Sequence, residues 1–424
     1  MSISGMSLRK NVPALLAGQF SRLVLQTAYF IVLARMLGAG GYGTFAAALA
    51  LAALIAPFSS IGTNTLMVKM VSREPSTARS AWKRAVFYTI IGGIVLSILL
   101  ALFGGFVTPP GVSRIALFEI CIADLVGLKL IEVNGSLWQA LGRSKALVVL
   151  PSMTNLFRLL AAMILWLVLG STSLDVWSCL FLLATAPLAI VVTVRTTVKL
   201  GSSKRGLSLS RKDAKEGLLY SIALASQNMY NDIDKIMLAK IGSVASAGYY
   251  SAAYRIIDVA YVPIRSFAAA AYPHYFREGE KGLRSAIGVT YKILPFVLTY
   301  GAVASLGAFF AAPLAPIILG EDYVHAVEIV RALAPLLLLR GISFLAADAL
   351  TGSGHQAYRT SMQGVIAVIN TTLNFLLIPI IGIWGAVFST LLCEVLLALL
   401  LWIYVLLYVR RKRNSEPILI SSVP

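Results

Sequence analysis

The chain has 424 residues, of which 58% are hydrophobic and only 13% charged, about half the ~25% usual in soluble domains. That balance excludes a water-soluble enzyme, and the formal net charge of +18 reads as basic loops held on one side of a membrane rather than as a nucleic-acid surface. The three cysteines, Cys121, Cys179 and Cys393, all sit in apolar runs without a C-x-x-C, so neither a disulfide framework nor a metal site is expected.

Apolar runs of about 20 residues recur along the whole length, and in lipid such runs must be helices. The N-terminal MSISGMSLRK leads into an apolar run too long for a signal peptide, with no convincing cleavage site after it. The first helix is expected over 11–37. It ends in LGAGGYGTF, where Gly38, Gly40 and Gly43 have the G-x-G-x-x-G spacing of dinucleotide-binding folds. No strand precedes these glycines, no βαβ unit fits and no acidic residue follows at ~20 residues, so no nucleotide is expected. A tight turn between packed helices is the better reading.

Eleven further helices are expected over 44–69, 81–107, 114–138, 146–169, 175–198, 216–241, 248–272, 286–311, 326–351, 359–380 and 384–408. Most of the 36 basic residues then gather on one side. Arg9, Lys10, Lys69, Arg73, Lys83, Arg84, Arg143, Lys204, Arg205, Arg277, Arg284 and the tail Arg410 to Arg413 face the cytoplasm, whereas Arg35, Arg114 and Lys240 fall near the other side. This bias places both termini in the cytoplasm.

The chain also repeats itself. VLARMLGAGGYGTFAAALAL at 32–51 has an echo in MLAKIGSVASAGYYSAAYRI at 237–256, and Arg73-Glu74 returns as Arg277-Glu278. An offset of about 205 residues divides the chain into an N-lobe (1–200), a basic cytoplasmic linker (201–215) and a C-lobe with a basic tail (216–424). Six spans is an even number, so the two halves enter the membrane in the same direction, a parallel repeat of the kind found in secondary transporters.

An ionisable group in mid-span costs ~2.5–3.5 kcal/mol on insertion scales and needs a reason. At 100° per residue, Gln19, Arg22, Gln26 and Tyr29 share one face of the first helix. The seventh helix carries a matching stripe of Gln227, Tyr230, Asn231 and Asp234, and the eighth carries Tyr254, Arg255, Asp258, Tyr261 and Arg265. These stripes suggest a wet cavity between the halves. Arg22, Arg255 and Arg265 are the candidates for an anionic ligand, since guanidinium meets phosphate bidentately. Tyr254 and Tyr261 beside them, like Tyr29 and Tyr230 in the other stripes, offer flat faces and hydroxyls, useful for a sugar or for interfacial anchoring, and Gln26, Gln227 and Asn231 add amides to the same stripes.

Structural pairing competes with each of these roles. Arg255 can pair with Asp258, three residues on, and Lys129 with Glu132. Arg158, Arg340, Asp124, Asp348 and Glu394 are either bundle-internal pairs or ion-coupling groups, with Asp234, Asp348 and Glu394 the candidates for coupling. Asp232-Ile233-Asp234 forms a D-x-D, but on a helix the two carboxylates diverge by ~200° and cannot share a metal. His274, His325 and His355 fall near span ends without ligand spacing, and no metal or other cofactor is expected.

LARMLGAGGYGTFAAALAL, DKIMLAKIGSVASAGYYSAAYRI and LIPIIGIWGAVFSTLL resemble the polysaccharide-exporter branch of the multidrug/oligosaccharidyl-lipid/polysaccharide (MOP) superfamily, from about residue 11 to 408. The resemblance implies an all-α polytopic membrane protein: twelve transmembrane helices in two six-helix lobes, arranged in a V around a central cavity. It implies a flippase of the bacterial inner membrane, working by alternating access on undecaprenyl-diphosphate-linked oligosaccharides for O-antigen, capsule or exopolysaccharide. Its partners would be that lipid-linked substrate, membrane lipids and other polysaccharide-assembly proteins. Related lipid II flippases use cavity arginines on the first and eighth helices, which Arg22 and Arg255 match by position and context. The two extra C-terminal helices of those flippases have no counterpart in this sequence. A cation or drug antiporter of the same superfamily is the first alternative, and a membrane-embedded polysaccharide polymerase or ligase the second.

Overall fold

A computed structural model describes residues 5–108, 111–143, 145–201 and 207–415, with side chains described except at 5–17, 270 and 411–415. Arg9, Lys10, Lys204, Arg205 and Arg411 to Arg413, assigned above to the cytoplasm, lie outside the described side chains. The described residues form helices and no strand. Lipid offers no partner for a backbone amide, and a helix satisfies its own.

Helix α1 (Gly5–Ser59) covers the first two expected spans as one element, broken only at Gly38, with φ 64° and ψ 178°. Its apolar stretch Gly18–Ser59 has 42 residues. At 1.5 Å per residue that is about 63 Å, twice a ~30 Å hydrocarbon core, so the helix must break near its middle. The expected turn at the glycines is therefore a kink at one of them. The second span also ends earlier than expected. Ile61 (φ 48°) and Gly62 (φ 66°) are left-handed, and α2 (Thr63–Arg73) starts anew beyond them.

The third span is α3 (Ala78–Phe103). The fourth combines α4 (Arg114–Cys121), a widened π segment (Ile122–Leu128) and α5 (Lys129–Ala140). Next come α6 (Ala146–Ile164), α7 (Leu174–Leu200), α8 (Arg211–Ile241), α9 (Val244–Gly279) and α10 (Leu283–Ala311). A short α11 (Leu314–Leu319) precedes the tenth expected span, which is split into α12 (Ala326–Leu333) and α13 (Leu336–Gly352). Helices α14 (Gln356–Ile381) and α15 (Ile383–Ser415) complete the chain.

Among the described residues, eight stretches are long and apolar enough to cross a bilayer. Among the segments that are not, α4–α5 carries Asp124, Lys129 and Glu132, α8 carries Asp232, Asp234 and Lys235, and α9 carries Arg255, Asp258 and Arg265. The surface is apolar instead. Phe106, Val168, Phe310 and Ile380 are between 74% and 83% exposed, the pattern of side chains that meet lipid.

By packing, the chain forms two compact units: residues 1–251 with 315–324, and residues 252–314 with 325–424. In the first, α8 runs along α1, and the start of α9 meets α1 at glycine distance. Asn228 Nδ2 donates to the Ala53 carbonyl and Ser221 Oγ to the Pro57 carbonyl, both at 2.7 Å. A Cβ on Gly43 would lie 1.9 Å from the Val244 carbonyl oxygen, and one on Gly248 1.9 Å from the Ala39 oxygen. The two copies of the repeated Gly/Tyr motif thus press together backbone to backbone. In the second unit, α13 packs on α10, where a Cβ on Gly341 would meet Val297 Cγ1 at 2.6 Å.

Gly43→Ala and Gly248→Ala should each lower the thermal stability of the detergent-solubilised protein, by on the order of 1–3 kcal/mol for overpacking. Gly288→Ala, whose Cβ would meet nothing within 4 Å, should not.

Candidate functional site

Gly18 sets the first helix against α6: a Cβ there would lie 2.2 Å from Val148 Cγ1. One turn further along, this approach brings Arg22 and Gln26 beside α6 and α5. They line a cavity of about 360 Å³ together with Asn64 from α2, Glu132 and Ser136 from α5, and Thr154, Asn155 and Arg158 from α6. That volume is far above what one water needs, and its walls offer donors and acceptors on several sides.

Arg158 is the most enclosed of these cations, 8% exposed. Its Nε donates to Thr185 Oγ1 at 3.3 Å, and its guanidinium lies 4.1 Å from the centre of the Phe181 ring. Its Nη2 has no hydrogen-bond partner among the described residues. Asp124, in the π segment, is within electrostatic reach. Lys129 and Glu132 form the expected ion pair at 2.7 Å. Arg22 and Arg158 are the cationic side chains among the lining residues of the cavity.

The other expected site residues lie elsewhere. Tyr29 is buried against Trp177, with ring centroids 5.9 Å apart, in a cluster that includes Phe45 and Phe181. On α8, Gln227 and Asn231 are exposed, Tyr230 is half-buried, and none of the three lines the Arg22 cavity. Asp234 is 2% exposed and accepts from Tyr250 Oη at 2.7 Å, whereas Asp232 pairs with Lys235. The two carboxylates of the D-x-D thus have separate partners.

In the second unit the organising group is Arg340 on α13. Its Nη1 reaches Asp258 Oδ1 at 3.2 Å and its Nε reaches Glu394 Oε1 at 3.1 Å. Its Nη2 donates to the Tyr254 hydroxyl, and its guanidinium sits 4.7 Å from the centre of that ring. Asp258, a candidate partner for Arg255 on its own helix, is therefore engaged across helices by Arg340. Arg255 is half-buried, and Arg265 is exposed and lies over the buried Tyr261 ring at 5.7 Å. Asp348, 1% exposed, pairs with Arg359 Nη1 at 3.5 Å, and its Oδ2 has no hydrogen-bond partner among the described residues.

Single-sequence reasoning missed the places of Arg158 and Arg340. Each is a lone cation in an apolar helix, which marks it as important. Periodicity along one helix says nothing of which neighbour it meets.

The sequence matches the family described as polysaccharide biosynthesis protein over residues 8–278. Comparison with curated protein sequences finds no match. Among solved structures, the chain is similar to an inward-facing multidrug resistance MATE family transporter of the MOP superfamily. The TM-score is 0.73 at 14% identity, covering 93% of this chain and 96% of that one. The lipid II flippase MurJ in an inward closed conformation gives 0.73 at 13% identity, covering 92% and 87%. A MOP superfamily transporter from Pyrococcus furiosus gives 0.61 at 15% identity, covering 95% and 96%. At these identities the likeness is one of fold.

Replacing Arg340 with leucine should cost up to about 3–5 kcal/mol, because the buried Glu394 is left without its cation, whereas Asp258 is partly exposed. Thermal unfolding of the solubilised protein measures the loss, and adding Glu394→Gln to Arg340→Leu should recover part of it.

Proposed function

The chain belongs to the polysaccharide biosynthesis protein family, as a multi-pass membrane protein of MOP fold, and on that premise we propose that it flips an undecaprenyl-diphosphate-linked oligosaccharide across the bacterial inner membrane. The product would feed O-antigen, capsule or exopolysaccharide assembly. The observation that carries this reading is the polar cavity in which Arg22 and Arg158 stand with Gln26, Asn64 and Asn155. Two guanidiniums inside an apolar bundle fit a diphosphate, whose charge would otherwise stop it in the bilayer. The amide side chains beside them fit sugar hydroxyls. A shared fold with a protein named as a lipid II flippase supports a lipid-linked substrate.

In this reading the N-lobe (1–200) and C-lobe (216–424), joined by the basic linker 201–215, work by alternating access with both termini in the cytoplasm. Arg255 and Arg265 form a second cationic set, and Tyr254, Tyr261, Gln227, Tyr230, Asn231 and Tyr29 supply further contacts along the sugar path. Asp234, Asp348 and Glu394 are the acids through which an ion would drive the cycle.

Complementation of flippase-null strains that make different glycans tests the proposal, read by surface polysaccharide. At least one strain should be restored. Arg22→Ala should abolish that restoration, and Arg158→Gln should reduce it at least tenfold, both at unchanged membrane abundance. Full activity of Arg22→Ala would remove the site. Export of cationic dyes without restoration of any strain would favour a multidrug antiporter.

A further inference from the structure

Residues 315–324 pack in the first unit, although the chain on both sides of them, 252–314 and 325–424, packs in the second. This strap is α11 and the single turn Glu321–Tyr323. It rests on the kink of α1. Arg35 Nε donates to the Ile318 carbonyl at 2.5 Å and Nη2 to the Ile317 carbonyl, acceptors that the end of α11 leaves without helical partners. The fully buried Tyr323 offers its hydroxyl to the carbonyls of Ala34 at 3.3 Å and Gly38 at 3.2 Å. The fit is close: a Cβ on Gly38 would lie 2.7 Å from Asp322 Oδ2.

The same contact occurs a second time with the halves exchanged. Lys240, the counterpart of Arg35 in the repeat, donates from Nζ to the carbonyls of Gly105 at 3.1 Å and Thr108 at 3.0 Å. Those carbonyls follow α3, the third span of the first half, as the strap follows α10, the third span of the second. Each half thus grips carbonyls just beyond the other's third span with a cation at the end of its own first span. Carbonyl termini attract cations through the helix dipole. Both Arg35 and Lys240 are exposed, so water can replace the carbonyls when the contact opens.

We propose that this exchange is a latch. Arg35 with the strap, and Lys240 with residues 105–108, hold this end of the molecule closed, and both must release once in every transport cycle. The inference rests on the transport reading above, and it adds what keeps the end opposite the cytoplasmic loops shut.

Two measurements test it, on full-length protein in membranes with the native cysteines replaced by alanine. Ala34 is fully buried and its carbonyl accepts from the Tyr323 hydroxyl, so a cysteine introduced by Ala34→Cys is expected to react with a membrane-impermeant maleimide only when this contact opens. Arg35→Gln with Lys240→Gln should raise that rate at least fivefold. Cys121, fully buried and kept alone in a parallel variant, should stay unreactive in both backgrounds. An unchanged rate at position 34 overturns the latch whatever the protein transports, and labelling of Cys121 would mean general unfolding and overturn it too. In the second measurement, the pair Arg35→Cys and Ile318→Cys is bridged by a reducible bifunctional thiosulfonate in a complemented strain. New surface polysaccharide should stop on bridging and resume on reduction. Undiminished synthesis with the bridge in place would show a static contact and overturn the proposal. An unbridged pair that restores no strain, with strap release intact by labelling, counts against the transport reading alone.

Discussion

Hydrocarbon cannot hydrogen-bond, and this single fact about the solvent shapes the molecule. Backbone amides must find partners within their own segment, so the described chain is helical. Side chains follow the same rule inverted. Phe, Val and Ile cover the outside, while Asp124, Arg158, Asp234, Asp348 and Glu394 are buried. A polar group facing lipid would cost several kcal/mol, so polarity collects where helices meet one another or enclose water.

Within that interior, two uses of a buried arginine can be told apart by geometry. Arg340 is engaged at each of its three nitrogens, by two carboxylates and a tyrosine, and it ties α9, α13 and α15 together. A pair of this kind helps to give the bundle one register. Arg158 is braced by Thr185 and Phe181, is among the residues lining a cavity of about 360 Å³, and its buried Nη2 has no hydrogen-bond partner among the described residues. A cation held by an aromatic face and a hydroxyl, with a donor to spare, can bind an anion without first breaking an ion pair.

Close helix approach explains the glycines. The G-x-G-x-x-G stretch serves packing: Gly38 takes a left-handed backbone at the kink, and Gly43 lets the backbone around Val244 and Gly248 press against α1. Its repeat partner Gly248 does the same in return against Ala39. Small residues at such crossings bring backbones together where apolar burial gives no drive, because lipid is as apolar as leucine.

Much of this was legible in the sequence. Run lengths indicated helical segments in their order, because a bilayer imposes a fixed length on any chain that crosses it. The Lys129–Glu132 pair was legible too, since residues three apart on a helix are neighbours in any fold. The partner of Asp258 was not, because its own helix offers Arg255 while packing delivers Arg340 from a helix 82 residues away. Nor was the company of Arg22, whose cavity is built by residues of α2, α5 and α6 that no periodicity connects to it. A one-dimensional pattern fixes what is near along a helix and which face is polar. Which faces meet depends on side-chain shape, on where a glycine lets two backbones approach, and on where a helix breaks, and only the packed molecule decides those.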